Sequence, residues 1–253
     1  MFKEKKIAVV MPAYNAEKTI SQTYAEVVAE GIVDLIIIVD DASNDATASI
    51  INELKSNELK TVVYAHDQNL GYGGNQKTCY KLALSEGADI VIMVHPDYQY
   101  TPKLIPAMVG MIVNGLYACV LGSRVLGGGA LKGGMPVWKY IINQGLTKME
   151  NFIIGAYLSE YHTGYRAFSK ELLQRVSLEH NSSGFIFDNE MLAQILWHGY
   201  VIGEISCPTN YFAQASVISL RNSVKYGFGC IGVALTYRLS KMKLIKSKLF
   251  PRK

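Results

Sequence analysis

The sequence lacks paired cysteines. Its four cysteines are far apart along the chain, and none belongs to a Cys-x-x-Cys pair; they are Cys79, Cys119, Cys207 and Cys230. This spacing is typical neither of a disulfide-stabilised secreted scaffold nor of a structural zinc site. We therefore expect reduced thiols in a cytoplasmic protein.

Long apolar runs are also missing. The uncharged run Tyr226–Tyr237 is shorter than the ~20 residues that a membrane-spanning helix needs. The apolar stretch near the amino terminus, Ile7–Ala13, lacks the cleavage pattern of a secretory signal and predicts a first β-strand instead. With 253 residues, 49% hydrophobic and 18% charged, the chain can bury a full core and fits one large α/β domain.

Acidic residues are absent from the last part of the chain. None follows Glu204, whereas nine lysines and arginines do, so the net charge of +4 divides into +9 after Glu204 and −5 before it. Such an asymmetry indicates an anionic partner, either a membrane surface or nucleic acid. Nothing aromatic there suggests base stacking, so we expect a membrane and no nucleic acid.

The same stretch has helical periodicity. Apolar residues recur at the spacing of one helix face, with lysines beside them; they are Leu235, Leu239, Met242 and Ile245 or Leu249. This predicts a basic amphipathic helix, reaching about Lys248, that lies in the membrane interface. The alternative is a helix that packs against the rest of the protein or mediates dimerisation.

Short β-branched runs alternate with helical patterns along most of the chain. The predicted strands are Ile7–Met11, Leu35–Val39, Thr61–Ala65, Ile90–Val94, Tyr117–Leu121 and Tyr200–Ser206. Repeated β-α alternation with short connections predicts an α/β fold with a mostly parallel, twisted sheet flanked by helices.

The segment after the fourth strand carries a possible ligand site. His95, Asp97 and Gln99 occupy alternate positions, and alternate residues of an extended chain point the same way. We therefore expect the three side chains to converge beyond the carboxyl end of the strand, where ligands bind in open α/β sheets. The alternative is a polar turn with no ligand.

Polar residues also end two other predicted strands. Asp40 and Asp41 follow the second strand, and Ser123 and Arg124 follow the fifth. Together with His95 and its neighbours, they predict one cleft that contains carboxylates, a possible metal site and a cation. The Gly71-x-Gly73-Gly74 turn is only weak evidence for dinucleotide binding, because it follows the third strand and lacks the full motif.

Several motifs, taken in order, resemble the family 2 glycosyltransferases of the GT-A fold, especially the branch similar to dolichol-phosphate-mannose synthase. They are VVMPAYNAEKTI, IIIVDDASND, NLGYGGNQKT, HPDYQYTP, GSR, HTGYRAFS and GFIFDNEML, from Val9 to about Phe212. The resemblance implies that the base and ribose of a nucleotide-sugar are held by Pro12, Tyr14, Glu17, Asp40 and Asp41. It also implies that Asp97 is the second acid of the family's Asp-x-Asp metal motif, from which the chain departs at His95.

Sugar transfer from such a donor needs a stabilised diphosphate and an oriented acceptor. A divalent cation, Mn²⁺ or Mg²⁺, on His95, Asp97 and Gln99 could serve the first need as a Lewis acid, with nitrogen ligation favouring manganese. Fixed positive charge could come from Arg124, from Lys132 in a glycine-rich loop, and from Arg166.

The second need depends on the acceptor. Asp188 is the candidate general base for a hydroxyl acceptor, such as a cell-envelope glycan intermediate, although it could simply cap a helix. A lipid phosphate would need no base, because its oxygen is already ionised.

We therefore expect an inverting hexosyltransferase with a catalytic domain over residues 1–215 and a basic helical extension over residues 216–253. It would act in the cytoplasm, peripherally at the inner face of the membrane, on a lipid-linked or glycan acceptor, and it could form an oligomer. Two rival hypotheses are a sugar-phosphate nucleotidyltransferase and a non-catalytic nucleotide-sugar-binding protein.

Overall fold

A computed structural model describes residues 1–54, 59–209 and 220–251. Within these residues, seven strands form one sheet in the order β3-β2-β1-β4-β6-β5-β7. The strands are β1 (Ile7–Ala13), β2 (Leu35–Asp40), β3 (Thr61–Ala65), β4 (Ile90–Met93), β5 (Cys119–Ser123), β6 (Arg166–Ser169) and β7 (Ile202–Ser206). All neighbouring strands run parallel except β6, which confirms the predicted mostly parallel sheet.

Helices cover both faces of this sheet. They are α1 (Ile20–Ala29), α2 (Thr47–Leu54), α3 (Tyr72–Ser85), α4 (Ile105–Val113), α5 (Gly129–Lys132), α6 (Val137–Ile154), α7 (Lys170–Arg175), α8 (Phe187–Trp197) and α9 (Leu220–Lys241). The helix after Thr101 opens as the sequence predicts, since the Thr101 hydroxyl accepts from the Lys103 amide at 3.3 Å and Pro102 follows it.

The central strands are buried on both faces. Alternate residues of β1 and β2 enter different core clusters, with Val10 and Ile37 on one side and Val9 and Ile38 on the other. This explains why these strands appear in the sequence as continuous apolar runs. Full burial of each such side chain is worth about 1.5–3 kcal/mol, which makes the centre of the sheet a rigid support for the loops at its edge.

Strand β6 was not predicted from the sequence. It lies antiparallel between β4 and β5, with Arg166 opposite both Met93 and Leu121. Because β6 runs in the opposite direction, its amino-terminal end lies where β4 and β5 have their carboxyl ends. The preceding segment, residues 160–165, therefore crosses the edge of the sheet at which a ligand is expected.

The carboxyl-terminal part differs from its prediction in one respect. Helix α9 ends at Lys241, so the predicted continuous helix to Lys248 is wrong. Lys243 has φ of 63°, and the chain turns back until Phe250 is buried, with ring centroids 5.5 Å from Trp197 and 5.4 Å from Tyr237. The expected domain boundary at 215/216 lies outside the described residues. Among the residues that are described, no helix is long and apolar enough to cross a bilayer.

Candidate active site

Three strand ends meet at the carboxyl edge of the sheet. Asp40 ends β2, Ser123 ends β5, and His95 lies two residues beyond the end of β4. Parallel strands place their carboxyl ends at the same edge, and β6 brings Arg166 to it from the opposite direction. One edge therefore carries the polar residues that the sequence analysis selected.

A hydrogen-bonded chain connects His95 to Asp188. The Tyr72 hydroxyl donates to Asp188 Oδ2 at 2.7 Å and lies 3.0 Å from His95 Nε2. The two rings are stacked with centroids 5.3 Å apart. Because the hydroxyl has one proton, and Asp188 accepts it, we infer that His95 Nε2 carries a proton and donates to the Tyr72 oxygen. Burial lowers the pKa of His95 and so favours the neutral imidazole over the charged form.

Asp188 has further partners. Its Oδ1 accepts from Gln76 Nε2 at 3.2 Å and lies 3.5 Å from Arg166 Nη1. The residue lies in the first turn of α8, whose N-cap is Ile186, so the helix-cap alternative is wrong. With Tyr72, three side chains hold this carboxylate in place.

Arg166 is completely buried. Its guanidinium donates to the backbone carbonyls of Thr163 at 2.8 Å, Asp188 at 2.8 Å and Tyr161 at 3.0 Å. A cation used in this way fixes the segment before β6 and the start of α8. The expectation that it faces a diphosphate therefore does not match its surroundings, which are protein carbonyls and Asp188.

The segment after β4 is not extended. Residues 96–99 form a turn and a bend, in which Tyr98 has φ of 61°, so the prediction that His95, Asp97 and Gln99 converge through strand alternation is wrong in its geometry. Gln99 instead lines a groove of about 440 Å³ together with Lys103 and other residues. Asp97 stays close enough to His95 for the two groups to interact electrostatically, and burial raises the pKa of the Asp97 carboxyl.

These positions determine how a divalent cation could bind. Nowhere in residues 1–54, 59–209 and 220–251 do three His, Cys, Asp or Glu side chains form a metal site. A cation on a nucleotide diphosphate needs only one or two carboxylates, because the phosphates supply other oxygens. Asp97 fits that requirement. The Nε2 of His95 does not, since it faces the Tyr72 hydroxyl.

Arg124 is paired inside the protein. Its Nε donates to Glu160 Oε1 at 2.9 Å, and its Nη2 donates to the His162 carbonyl at 2.7 Å. Although burial alone would raise it, the pKa of Glu160 is lowered by the Arg124 guanidinium and by Asn143, so this carboxylate is ionised. Lys132 ends α5 and is exposed. Arg124 therefore has a fixed direction, whereas Lys132 remains a surface cation.

The predicted donor-binding residues divide into two groups. Asp41 is buried and saturated: its carboxylate accepts from His66 Nδ1 at 2.7 Å and from the backbone amides of Leu70 at 2.8 Å and Gly71 at 3.0 Å. It therefore fixes the loop that leads to Tyr72. Asp40, also buried, accepts from the amide of Ser43 at 3.2 Å.

The loop after β1 lies beside the loop after β2. Glu17 accepts from the Ala46 amide at 2.9 Å, and the Asn15 side chain accepts from the Asn44 amide at 2.9 Å. Tyr14 is about half exposed, and Pro12 pairs with Val39 within the sheet. Tyr14 is therefore the aromatic side chain of this group that a ligand could reach.

A second buried polar cluster lies behind Asp188. Glu150 of α6 accepts from the side-chain amide of Asn189, and its Oε2 is 3.4 Å from Nε2 of His162. Nδ1 of that histidine is 3.0 Å from the Tyr226 hydroxyl of α9. Burial raises the pKa of Glu150 to about 7 and lowers the pKa of His162 to about 4.

Sequence reasoning missed Tyr72, Gly164 and Glu160. A Cβ on Gly164 would lie 2.7 Å from the His95 ring, so this glycine makes room for the imidazole. Gly73 similarly packs against Phe187 and Ser182, which gives the glycine-rich turn a packing role. The signal available in the sequence was that Tyr72 and Gly164 belong to the NLGYGG and HTGYR motifs, and that Glu160 lies two residues before the second motif, but no spacing rule joins them.

Comparison with known proteins agrees with this geometry. The sequence pattern described as Glycosyl transferase family 2 matches residues 8–177. A UDP-N-acetylglucosamine–dolichyl-phosphate N-acetylglucosaminyltransferase from Methanococcus voltae is 31% identical over 96% of this chain and 98% of its own. A polyprenol monophosphomannose synthase from Mycolicibacterium smegmatis is 22% identical over 78% of this chain and 74% of its own.

Solved structures extend the agreement to the fold. Glucosyl-3-phosphoglycerate synthase from Mycobacterium tuberculosis superposes with a TM-score of 0.69 at 20% identity, covering 93% of this chain and 80% of that one. The same enzyme has been solved with Mn²⁺ and UDP, and that structure superposes with a TM-score of 0.65 at 18% identity over the same shares. The family match, the relative that aligns over almost its whole length and the shared fold lead to one conclusion. The chain belongs to glycosyl transferase family 2, has the GT-A fold and is a glycosyltransferase.

Proposed function

We propose that the chain transfers a sugar from a UDP-sugar to a polyprenyl phosphate, with inversion at the anomeric carbon. The names of two relatives contain dolichyl phosphate and polyprenol, and one of the glucosyl-3-phosphoglycerate synthase structures contains UDP. These names support the donor base and the acceptor class.

The observation that carries the acceptor assignment is the engagement of Asp188. Both of its oxygens already face donors, from Tyr72, Gln76 and Arg166. A general base must be able to take a proton from the acceptor, and a carboxylate held beside a guanidinium is poorly suited to that. A phosphate acceptor removes the need, because its oxygen is already ionised. We therefore assign Asp188 a positioning role in place of the base role.

The reaction then follows by direct displacement. An oxygen of the acceptor phosphate bonds to the anomeric carbon while the bond from that carbon to the β-phosphate of UDP breaks. The leaving oxygen keeps the electron pair, and UDP departs. Because attack and departure take place on opposite faces, the configuration inverts.

Charge on the leaving diphosphate must be neutralised. Asp97 would hold a divalent cation on the phosphates, and that cation would act as a Lewis acid. Arg124, fixed by Glu160 and close enough to Asp97 to oppose the rise in the pKa of that carboxyl, would supply oriented positive charge at the same cleft. Asp40, Glu17 and Tyr14 would form the nucleoside end of the site.

A transfer assay with paired acceptors tests the proposal. Purified protein, a panel of UDP-sugars and Mn²⁺ are incubated with a short-chain polyprenyl phosphate or with the matching polyprenol, and lipid products are measured by mass spectrometry. We expect glycosylated product and free UDP with the phosphate alone. Product from the free alcohol would restore Asp188 as a base. Binding of a UDP-sugar without product from either acceptor would favour the non-catalytic rival. In a separate incubation with a sugar 1-phosphate and a nucleoside triphosphate we expect no nucleotide-sugar, and its formation would favour the nucleotidyltransferase.

The proposed acceptor also implies a place of action. A polyprenyl phosphate resides in a bilayer, so we propose that the protein works peripherally at the cytoplasmic face of the membrane. The basic carboxyl-terminal stretch supports this proposal, since each Lys or Arg near an anionic surface contributes roughly 1 kcal/mol.

A further inference from the structure

Helix α6 has its apolar side facing outward. Six exposed residues share that side, and five of them are large and apolar; they are Trp138, Ile141, Ile142, Gly145, Met149 and Phe152. At 3.6 residues per turn they fall within an arc of about 100°. Phe152 is 88% exposed and Ile141 62% exposed. We refer to this set as the α6 stripe.

The opposite side of the same helix is polar and buried. Asn143, Thr147 and Glu150 point into the protein, with exposures of 8%, 2% and 0%. A helix on the surface of a water-soluble domain normally has the reverse arrangement. A contiguous exposed apolar surface of this kind marks an interaction site.

The charges beside the stripe are of one sign. Between Gly129 and Ser159 the only acidic residue is Glu150, which is buried, whereas Lys148 is exposed and Lys139 half-buried. The neighbouring α9, which packs against α6, contains no acidic residue. A second copy of the chain would bring like charges together at this surface, whereas an anionic lipid surface would complement them.

The stripe also adjoins the active site. Asn143 of α6 donates to Glu160 Oε1 at 3.1 Å, and the same oxygen accepts from Arg124 Nε at 2.9 Å. One carboxylate therefore joins the first half of α6 to Arg124. Trp138 lies at this end of the stripe, and Tyr157, 98% exposed, lies just beyond the other end. Tryptophan and tyrosine are enriched where membrane meets water.

We propose that the α6 stripe is the surface by which the protein docks on anionic lipid, with α6 lying in the plane of the interface. The choice of a lipid surface as the partner of the α6 stripe rests on the proposed function, because the enzyme must meet a lipid-linked acceptor at the bilayer. Docking through α6 places the cleft at Arg124 next to the headgroups. The phosphate of the acceptor then reaches the site while its polyprenyl chain stays in the membrane.

Vesicle sedimentation of the full chain tests this surface. The probe is vesicles of phosphatidylcholine with or without phosphatidylglycerol, and the test variant carries Ile141→Ser with Phe152→Ser. Removing two interfacial apolar side chains should weaken binding to the anionic vesicles by about tenfold or more. The matched control carries Leu116→Ser with Val201→Ser, two exposed apolar residues ahead of β5 and β7 at the other edge of the sheet. We expect it to bind as the unchanged protein does.

Two results would overturn the proposal. One is equal vesicle binding by the α6 variant and the unchanged protein. The other is a change in the oligomeric state of lipid-free protein with vesicle binding unaltered, which would assign the stripe to a second copy. Transfer to short-chain acceptor in detergent is measured in parallel, and the α6 variant should retain it. Failure of transfer in every protein would reject the proposed function while leaving the vesicle comparison interpretable.

Discussion

Replacing Glu150 by glutamine isolates the buried carboxyl on the inner side of α6. Its pKa of about 7, against an ordinary 4.5, arises from burial, which the amide of Asn189 only partly offsets. Between these two pH values the folded protein keeps a proton that the unfolded chain releases. The free energy of unfolding should therefore decrease as pH rises through this window, and the full penalty applies above pH 7.

The size of the effect follows from the two pKa values. Their difference corresponds to about 3 kcal/mol, and for a chain of this size 1 kcal/mol changes Tm by roughly 2–4 °C. Thermal unfolding of the unchanged protein should lose on the order of 6–12 °C from this group between pH 5 and 8. Glu150→Gln has no proton to lose and can still accept from the Asn189 amide. The difference in Tm between this variant and the unchanged protein should therefore change by that amount over the range, because other titrating groups affect both proteins alike.

The assay is thermal unfolding at constant ionic strength, with Glu179→Gln, at an exposed glutamate, as the control. The control should follow the unchanged protein at every pH. Parallel curves for the unchanged protein and Glu150→Gln would refute the reasoning. The lowered pKa of His162 has the opposite effect. The stability that the neutral His162 contributes is lost as pH falls from 6.5 toward 4, so the unchanged protein and both variants should have a lower Tm there.

Three further predictions concern the active site. Tyr72→Phe removes the hydroxyl between Asp188 and His95, and steady-state kinetics should show kcat/KM lower by roughly 10–100-fold; an unchanged value would remove Tyr72 from the mechanism. Gly164→Ala should lower Tm because its Cβ meets the His95 ring, and adding His95→Ala should recover part of the loss; no recovery would show that the contact is unimportant. Asp97→Asn should remove most of the stimulation by Mn²⁺ in the transfer assay while leaving Tm in metal-free buffer nearly unchanged. A full metal response would show that another residue holds the cation.

The sheet was largely predictable because its central strands are buried on both faces. Runs such as Leu35–Val39 have the same apolar character at every position, so their identity does not depend on register. Strand β6 has only four residues and begins with Arg166. Neither length nor alternation distinguishes it from a loop, and its place between β4 and β5 is set by pairing that no local pattern encodes.

The site was predictable as a location more than as an arrangement. The strand ends that carry Asp40, His95 and Arg124 follow from the α/β topology. The hydrogen-bond partners of these residues do not follow from the topology, because contacts such as that between Tyr72 and His95 join residues that are far apart in the sequence. The sequence also did not show which side of α6 faces the core. A helical period shows which residues share a side but not which side is buried.

The inserted position of β6 has a consequence for synthesis of the chain. Strands β1 to β4 can pair as soon as they emerge, but β4, which pairs with β1 on one side, lacks its second partner β6 until Ser169 has been made. At ordinary rates of translation this leaves an apolar strand edge unpaired for on the order of 10 s. Such an edge invites pairing with another nascent chain. Only when β6 docks do the ends of β4 and β5 take their final positions, so the catalytic edge is among the last parts of the molecule to be completed.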